Sequence, residues 1–240
     1  MSRIADNLSA IRHEIISACS RANRNLTSVE LIAVSKTFPI ESIVEAFELG
    51  HLHFGENKLQ EAELKISALP DWIHWHFIGR VQSNKVRKLL HRFEVIHGID
   101  SLRLAAYVDQ IAGELGLLPQ IFLQVNLGNE ISKGGFIPEL LPSEMESVLR
   151  LKHLKILGLM CLPPAGPSPE SARPWFAALR EMRDKLEMDY GIKLPSLSMG
   201  MSDDFQVAIE EGATHVRVGS AIFGNREPNI LRVAPTKENL

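Results

Sequence analysis

A single closed α/β barrel is the fold that this 240-residue sequence predicts, and three observations predict it. Short apolar runs alternate with amphipathic segments, the pattern of parallel β/α units. The runs number eight, at 31–36, 51–56, 74–79, 94–100, 120–126, 155–162, 194–200 and 215–220, the strand count of a (β/α)8 TIM barrel. The length, with 45% hydrophobic and 23% charged residues, suits one such domain.

The elements follow in order. Ile4, Leu8, Ile11 and Ile15 recur at helical spacing and predict an extra N-terminal helix that lays an apolar stripe on the body. Further helices are expected at 40–49, 58–68, 83–91, 102–115, 138–151, 170–188 and 203–211, each after a strand. Pro39 stands early in the first of these, Gly50 and Gly212 stand just past helix ends, and Ser202 is placed as an N-cap before Asp203 and Asp204. The proline-rich stretch 163–169 excludes regular structure and reads as a surface loop, either a lid or a stiff linker. Residues 1–226 are thus expected to form one barrel domain, and the polar, proline-punctuated stretch 227–240 a flexible C-terminal tail. The units do not repeat in sequence, which argues against a solenoid.

A formal net charge of −3 leaves no global basic field, so neither nucleic acid nor an anionic membrane is an expected partner. The basic stretch 82–88 reads as a solvated helical turn. Two distant cysteines, Cys19 and Cys161, form no CxxC pair and fit a reducing compartment. With no apolar signal core and no run of membrane-spanning length, the expected location is cytoplasmic.

Active sites of this fold gather at the carboxyl ends of the strands. Lys36 closes the first run, and an amine on a rigid strand end suggests covalent carbonyl chemistry. Across the expected barrel mouth, Gly200-Met201-Ser202 and Val218-Gly219-Ser220-Ala221 lead into helix amino termini after strands seven and eight, the recurrent phosphate site of the fold. Asp203 and Asp204 would repel a phosphate there unless their side chains turn outward. A lysine and a phosphate cup are two anchors for one ligand, and pyridoxal phosphate carries both an aldehyde and a phosphate. Arg217 shares a strand face with Gly219 and can face the pyridine nitrogen, which a guanidinium would keep unprotonated. The bland alternative makes Arg217 a barrel cation paired with Glu56 or Asp100.

His51 with His53 and His74 with His76 each place two histidines on one strand face, as zinc hydrolases can. They lie near strand starts or middles, away from the functional ends, so they are read as structural and no metal is expected.

Several ordered motifs carry a family resemblance. Ala33-Val34-Ser35-Lys36, Phe54-Gly55-Glu56-Asn57 with Gln60-Glu61, His76-Phe77-Ile78-Gly79 with Gln82-Ser83-Asn84-Lys85, and Gln124-Val125-Asn126 with Ser132-Lys133-Gly134 resemble the pyridoxal phosphate homeostasis protein family. Leu197-Ser198-Met199-Gly200-Met201-Ser202-Asp203-Asp204-Phe205 and Val216-Arg217-Val218-Gly219-Ser220-Ala221-Ile222-Phe223-Gly224 complete the match over nearly the whole chain. The resemblance implies a fold type III barrel like the N-terminal domain of alanine racemase, with pyridoxal 5'-phosphate held as a Schiff base, an internal aldimine. Carried onto this sequence, it implies Lys36 as the aldimine lysine, Ser202, Gly219 and Ser220 as phosphate contacts, Arg217 at the ring nitrogen and Asn57 as a pocket-lining residue. It also implies action in vitamin B6 homeostasis and amino-acid and keto-acid balance without established catalysis. PLP-dependent apoenzymes or B6-metabolising enzymes are the implied partners, and a monomer or weak dimer is expected. Two departures stand out: Arg80-Val81 where the family commonly has a leucine before the glutamine, and Gly224-Asn225-Arg226-Glu227-Pro228 where it commonly ends on an acidic residue and a tyrosine.

The enzyme alternative is a fold type III amino-acid racemase or lyase. A two-base racemase needs a proton donor on each face of its substrate, and beyond Lys36 the second is missing. The chain has only Tyr107 and Tyr190, both expected in helices away from the barrel mouth. Cys161, Asp100 or a bound water are the remaining candidates.

Overall fold

The computed structural model describes residues 2–224; the expected tail at 227–240 and Arg226 lie outside the described residues. Eight parallel strands close in chain order: β1 (Glu30–Val34), β2 (His53–Glu56), β3 (His74–Phe77), β4 (Val95–Ile99), β5 (Gln120–Val125), β6 (Lys155–Cys161), β7 (Ser196–Met201) and β8 (His215–Val218). The expected α/β barrel is therefore present. Closure pairs β8 directly with β1, with Ala33 opposite Val218. That corrects one expectation: Lys36 and the Gly219-Ser220 loop are neighbours on adjoining strand ends, not partners across the mouth. The apolar run also overshoots, because β1 ends at Val34 and Lys36 stands in the turn beyond it.

The helices are α1 (Arg3–Arg21), α2 (Ile40–Glu48), α3 (Leu59–Ile66), α4 (Val86–Leu90), α5 (Leu102–Leu115), α6 (Leu141–Leu149), α7 (Arg173–Tyr190), α8 (Phe205–Glu210) and α9 (Ser220–Phe223). The expected stripe of α1 is buried at Ile4, Leu8, Ile11 and Ile15 and packs on α2, α8 and α9. Because α9 is only four residues long, α1 supplies the missing outer cover beside β8. Asn7 Nδ2 donates to Ile222 O at 2.8 Å and ties the two together. Burying each such Ile or Leu contributes about 1.5–3 kcal/mol.

Alternation along the strands sorts the interior into two compartments. Outward-facing apolar residues such as Phe54, Ile96, Ile121 and Leu159 meet helix residues such as Ile43, Leu89, Leu141 and Phe176 in the main core. Inside the barrel, Val95, Phe122 and Met160 form a separate apolar cluster. Much of the remaining inner filling is polar, with His76, His97, Ser198 and Arg217 all buried. His97 stacks on Phe122 with ring centroids 4.6 Å apart.

A candidate cofactor site at the carboxyl-terminal mouth

The turn that carries Lys36 is braced from beneath. Ser35 is fully buried and its Oγ donates to Glu56 Oε1 at 2.7 Å. Lys65 of α3 reaches the same place, where its Nζ donates to Ser35 O at 2.8 Å, Glu56 Oε1 at 2.7 Å and Glu61 Oε1 at 2.6 Å. Glu61 Oε1 also accepts from Thr37 N at 2.5 Å. Both residues flanking Lys36 are therefore clamped, and Thr37 is held at φ 69°, a left-handed conformation that costs a β-branched residue energy and persists only where neighbours over-determine it. Burial pushes the Glu56 carboxyl up, against the lowering from Lys65 and Ser35. Its Oε2 is the one buried side-chain polar atom without a hydrogen-bond partner among the described residues.

The other wall is formed by the loops after β7 and β8. Gly200 takes φ 94°, and an added Cβ there would lie 2.6 Å from the Ala208 Cβ, so only glycine lets the chain turn this tightly onto α8. The turn brings Ser202 beside Gly219, whose N–H donates to Ser202 Oγ at 3.2 Å. This corrects the N-cap expectation. The helix starts at Phe205, and Ser202 bonds across to the β8 loop instead of capping it. Asp204 Oδ1 accepts from Met201 N at 2.6 Å, so one of the two acidic side chains folds back onto its own turn. Burial pushes the Asp204 carboxyl up, opposed by that backbone bond and by Arg217.

Arg217 rises from β8 into the barrel, buried, and donates through Nη1 to Ser198 Oγ and through Nη2 to Cys161 O at 3.0 Å. It pairs with neither Glu56 nor Asp100, the two partners expected of a purely structural cation. Glu56 points to the helix layer and Lys65, while Asp100 lies 4.0 Å from Arg80. Burial pulls the guanidinium down from its ordinary value, opposed by Cys161 and Asp204. Burial likewise pushes the Cys161 thiol up to about 12, which leaves it a neutral group.

These walls enclose a cavity of about 450 Å³ lined by Lys36, Asn57, Ser202, Arg217, Gly219 and Ser220 among others. Every expected cofactor-binding residue thus lines one space. Gly79 explains the place of Asn57, since a Cβ on Gly79 would meet Asn57 O at 2.3 Å. The loop 163–169 contributes Pro163 to the rim, where Lys133 Nζ donates to Pro163 O at 2.8 Å and to Glu130 Oε1 at 2.9 Å. Neither tyrosine lines the cavity: Tyr190 OH donates to Pro142 O, and Tyr107 lines a separate hollow with Arg80 and Asp100.

Sequence reasoning missed Lys65, and it named Lys133 within a motif without giving it a role. A signal existed for Lys65, because Glu61 and Lys65 are spaced i, i+4 with the lysine on the helix face that also buries Leu59 and Ala62.

A parallel barrel with an amine and a cluster of hydroxyl and glycine groups at its carboxyl mouth defines a class, and residues 7–227 match the family described as alanine racemase, N-terminal domain. Within that class the chain belongs to the pyridoxal phosphate homeostasis protein family. The relative from Aquifex aeolicus that bears this name is 44% identical over 92% of this chain and 98% of its own, and the one from Schizosaccharomyces pombe 37% identical over 99% and 100%. PipY of Synechococcus elongatus, solved both without PLP and with PLP bound, is 40% identical over 92% of this chain and 100% of its own, with a TM-score of 0.82. Alanine racemase of Clostridium difficile, at 14% identity and a TM-score of 0.69 over 91% of this chain and 57% of its own, shares the fold.

Proposed function

We propose that this chain holds pyridoxal 5'-phosphate at the carboxyl mouth of its barrel and acts in vitamin B6 homeostasis, with Lys36 as the covalent anchor. The observation that carries the reading is the single cavity shared by Lys36, Asn57, Ser202, Arg217, Gly219 and Ser220. Its volume of about 450 Å³ lies within the range of small-molecule sites. The donor set fits the cofactor: an amine for an aldehyde, hydroxyls and loop amides for a phosphate, and a guanidinium for a ring nitrogen. The name of the family and the PLP-bound PipY support the same ligand.

When bound, pyridoxal phosphate supplies an aldehyde that amines attack reversibly and a ring that withdraws electrons most strongly when its nitrogen is protonated. Lys36 supplies the attacking amine from a turn that Lys65 and Glu61 hold in place. Ser202, Gly219 and Ser220 would hold the phosphate, from loops that the Gly219 N–H to Ser202 Oγ bond brings together. Arg217 only donates, and its two protein acceptors fix its plane, so an acceptor nitrogen held against it stays unprotonated. That is a holder's arrangement more than a racemase's. Among the described lining residues the other lysine, Lys133, directs its ammonium to Glu130 and Pro163. No tyrosine stands opposite Lys36 among the described lining residues.

The reading extends to exchange of the cofactor with PLP-dependent apoenzymes or B6-metabolising enzymes in the cytoplasm. No helix of the described residues is long and apolar enough to cross a membrane. Titration of the purified protein with pyridoxal phosphate tests the proposal. A saturable visible absorbance with one equivalent bound is expected, with no turnover of common amino acids. Robust Lys36-dependent turnover would replace the holder with an enzyme, and no absorbance change would remove the cofactor.

A further inference from the structure

The opposite end of the barrel gathers chemistry that the cofactor site does not use. Glu30 opens β1, His53 opens β2, and His76 lies two residues inside β3, and parallel closure with alternating side chains turns all three toward the barrel axis. Their ligand atoms converge. Glu30 Oε1 lies 3.3 Å from His53 Nδ1 and 3.6 Å from His76 Nε2, and the two imidazole nitrogens lie 3.1 Å apart. Donors around a tetrahedral zinc ion with bonds of about 2.0–2.1 Å stand about 3.3 Å from one another, so three sides of such a tetrahedron are already in place.

We propose that Glu30, His53 and His76 form a binding site for a zinc-class divalent ion at the amino-terminal mouth of the barrel. The donor set of two imidazoles and one carboxylate selects zinc or cobalt over magnesium or calcium, which prefer all-oxygen shells. Side-chain exposures of 30% at His53 and 33% at Glu30 leave the site open to solvent, so an ion can enter and keep a water in its fourth position. His215 Nε2 also approaches the carboxylate, 3.5 Å from Glu30 Oε1.

The surroundings suit ligation. A histidine that binds metal through one nitrogen holds its ring by a hydrogen bond from the other. His76 Nδ1 lies 3.1 Å from His97 Nε2, and His97 Nδ1 lies 2.8 Å from Ser198 Oγ, all buried. With the His76 Nε2 lone pair on a metal, the proton sits on Nδ1 and donates to His97 Nε2, and His97 in turn donates through Nδ1 to Ser198. On the exposed side His74 stacks on His53 at 4.6 Å and its Nδ1 lies 2.6 Å from Glu94 Oε2, which steadies the more open ligand. The structural reading of these histidines from sequence saw two separate pairs, and the convergence with Glu30 is what changes it.

The test uses the full chain, stripped of metal by a chelator and without pyridoxal phosphate, so its outcome is independent of the cofactor reading. Titration with Co²⁺ is expected to give the intense visible bands of a four-coordinate site at one ion per chain, displaced by Zn²⁺. Hyperfine-shifted imidazole resonances from two histidines are expected in the Co²⁺ protein, a measurement that needs no variant. Glu30→Gln and His53→Gln, with folding checked by circular dichroism, are expected to weaken binding about 100-fold or more. Absence of stoichiometric binding by the wild type overturns the site. So does binding that survives both substitutions, which would put the ion on other residues.

Discussion

The two mouths of the barrel are built on different plans. At the carboxyl end the working groups sit on turns just past the strands: Lys36 after β1, Asn57 after β2, Ser202 after β7 and Ser220 at the start of α9. At the amino end they sit on the strands themselves, with Glu30, His53 and His76 fixed by ladder register. Turns can adapt to a ligand that comes and goes, whereas strands hold donors at fixed spacing. The carboxyl mouth therefore needs props, and Lys65 with Glu61 supplies them beneath Lys36. Between the ends, Arg217 belongs to both plans, since it is a strand residue whose Ser198 partner also meets His97.

Substitutions sharpen this contrast. The largest expected effect is that of Lys36→Ala, which removes all covalent attachment of pyridoxal phosphate while leaving the barrel folded; borohydride reduction with mass spectrometry reads the first and circular dichroism the second. Lys65→Met reverses the pattern. It leaves the Glu56 carboxylate buried without its ion-pair partner and is expected to cost about 3–5 kcal/mol in urea denaturation. A loss within 1 kcal/mol, about the value of an exposed pair, would show that the prop beneath Lys36 is dispensable.

Arg217→Met is expected to cost about 1–3 kcal/mol, because Cys161 O and Ser198 Oγ lose a buried donor, and to weaken cofactor binding as well. Stability lost with cofactor affinity intact would make Arg217 a strut only. Ser202→Ala removes one hydroxyl at the phosphate end and is expected to weaken pyridoxal phosphate about tenfold, from a hydrogen bond to a charged group of about 1.5 kcal/mol, as read by equilibrium dialysis. The smallest effect concerns Cys161. With burial pushing its thiol up to about 12, the thiolate is scarce at every pH below that, so alkylation of the native protein at pH 8 is expected to leave it unlabelled until denaturant is added.

Much of the carboxyl mouth was legible because its residues follow the strands in chain order and fall in contiguous motifs. Lys36, Ser202, Arg217, Gly219 and Ser220 each stand near a strand end that an apolar run reveals. Barrel closure was less legible, since no local signal says that β8 lies beside β1, and Lys36 was accordingly placed across the mouth. Ser202 misled for a related reason. A serine before two aspartates satisfies the local rule for a cap, but a tertiary donor, Gly219 N–H, takes its hydroxyl. The amino mouth was legible only in part. His74 and His76 do share a face of β3, but His51 falls before β2, which begins at His53, so the first expected pair does not share a strand face. Glu30, His53 and His76 come from three strands, and their meeting depends on register that spacing along the chain does not encode.

Peptide mapping after borohydride reduction of the protein mixed with pyridoxal phosphate tests the Lys36 assignment most directly, because the cavity holds a second amine in Lys133. The reduced cofactor is predicted on the peptide that contains Lys36, at one equivalent and absent from Lys36→Ala. An adduct on Lys133, or none on any lysine of the cavity, would contradict it.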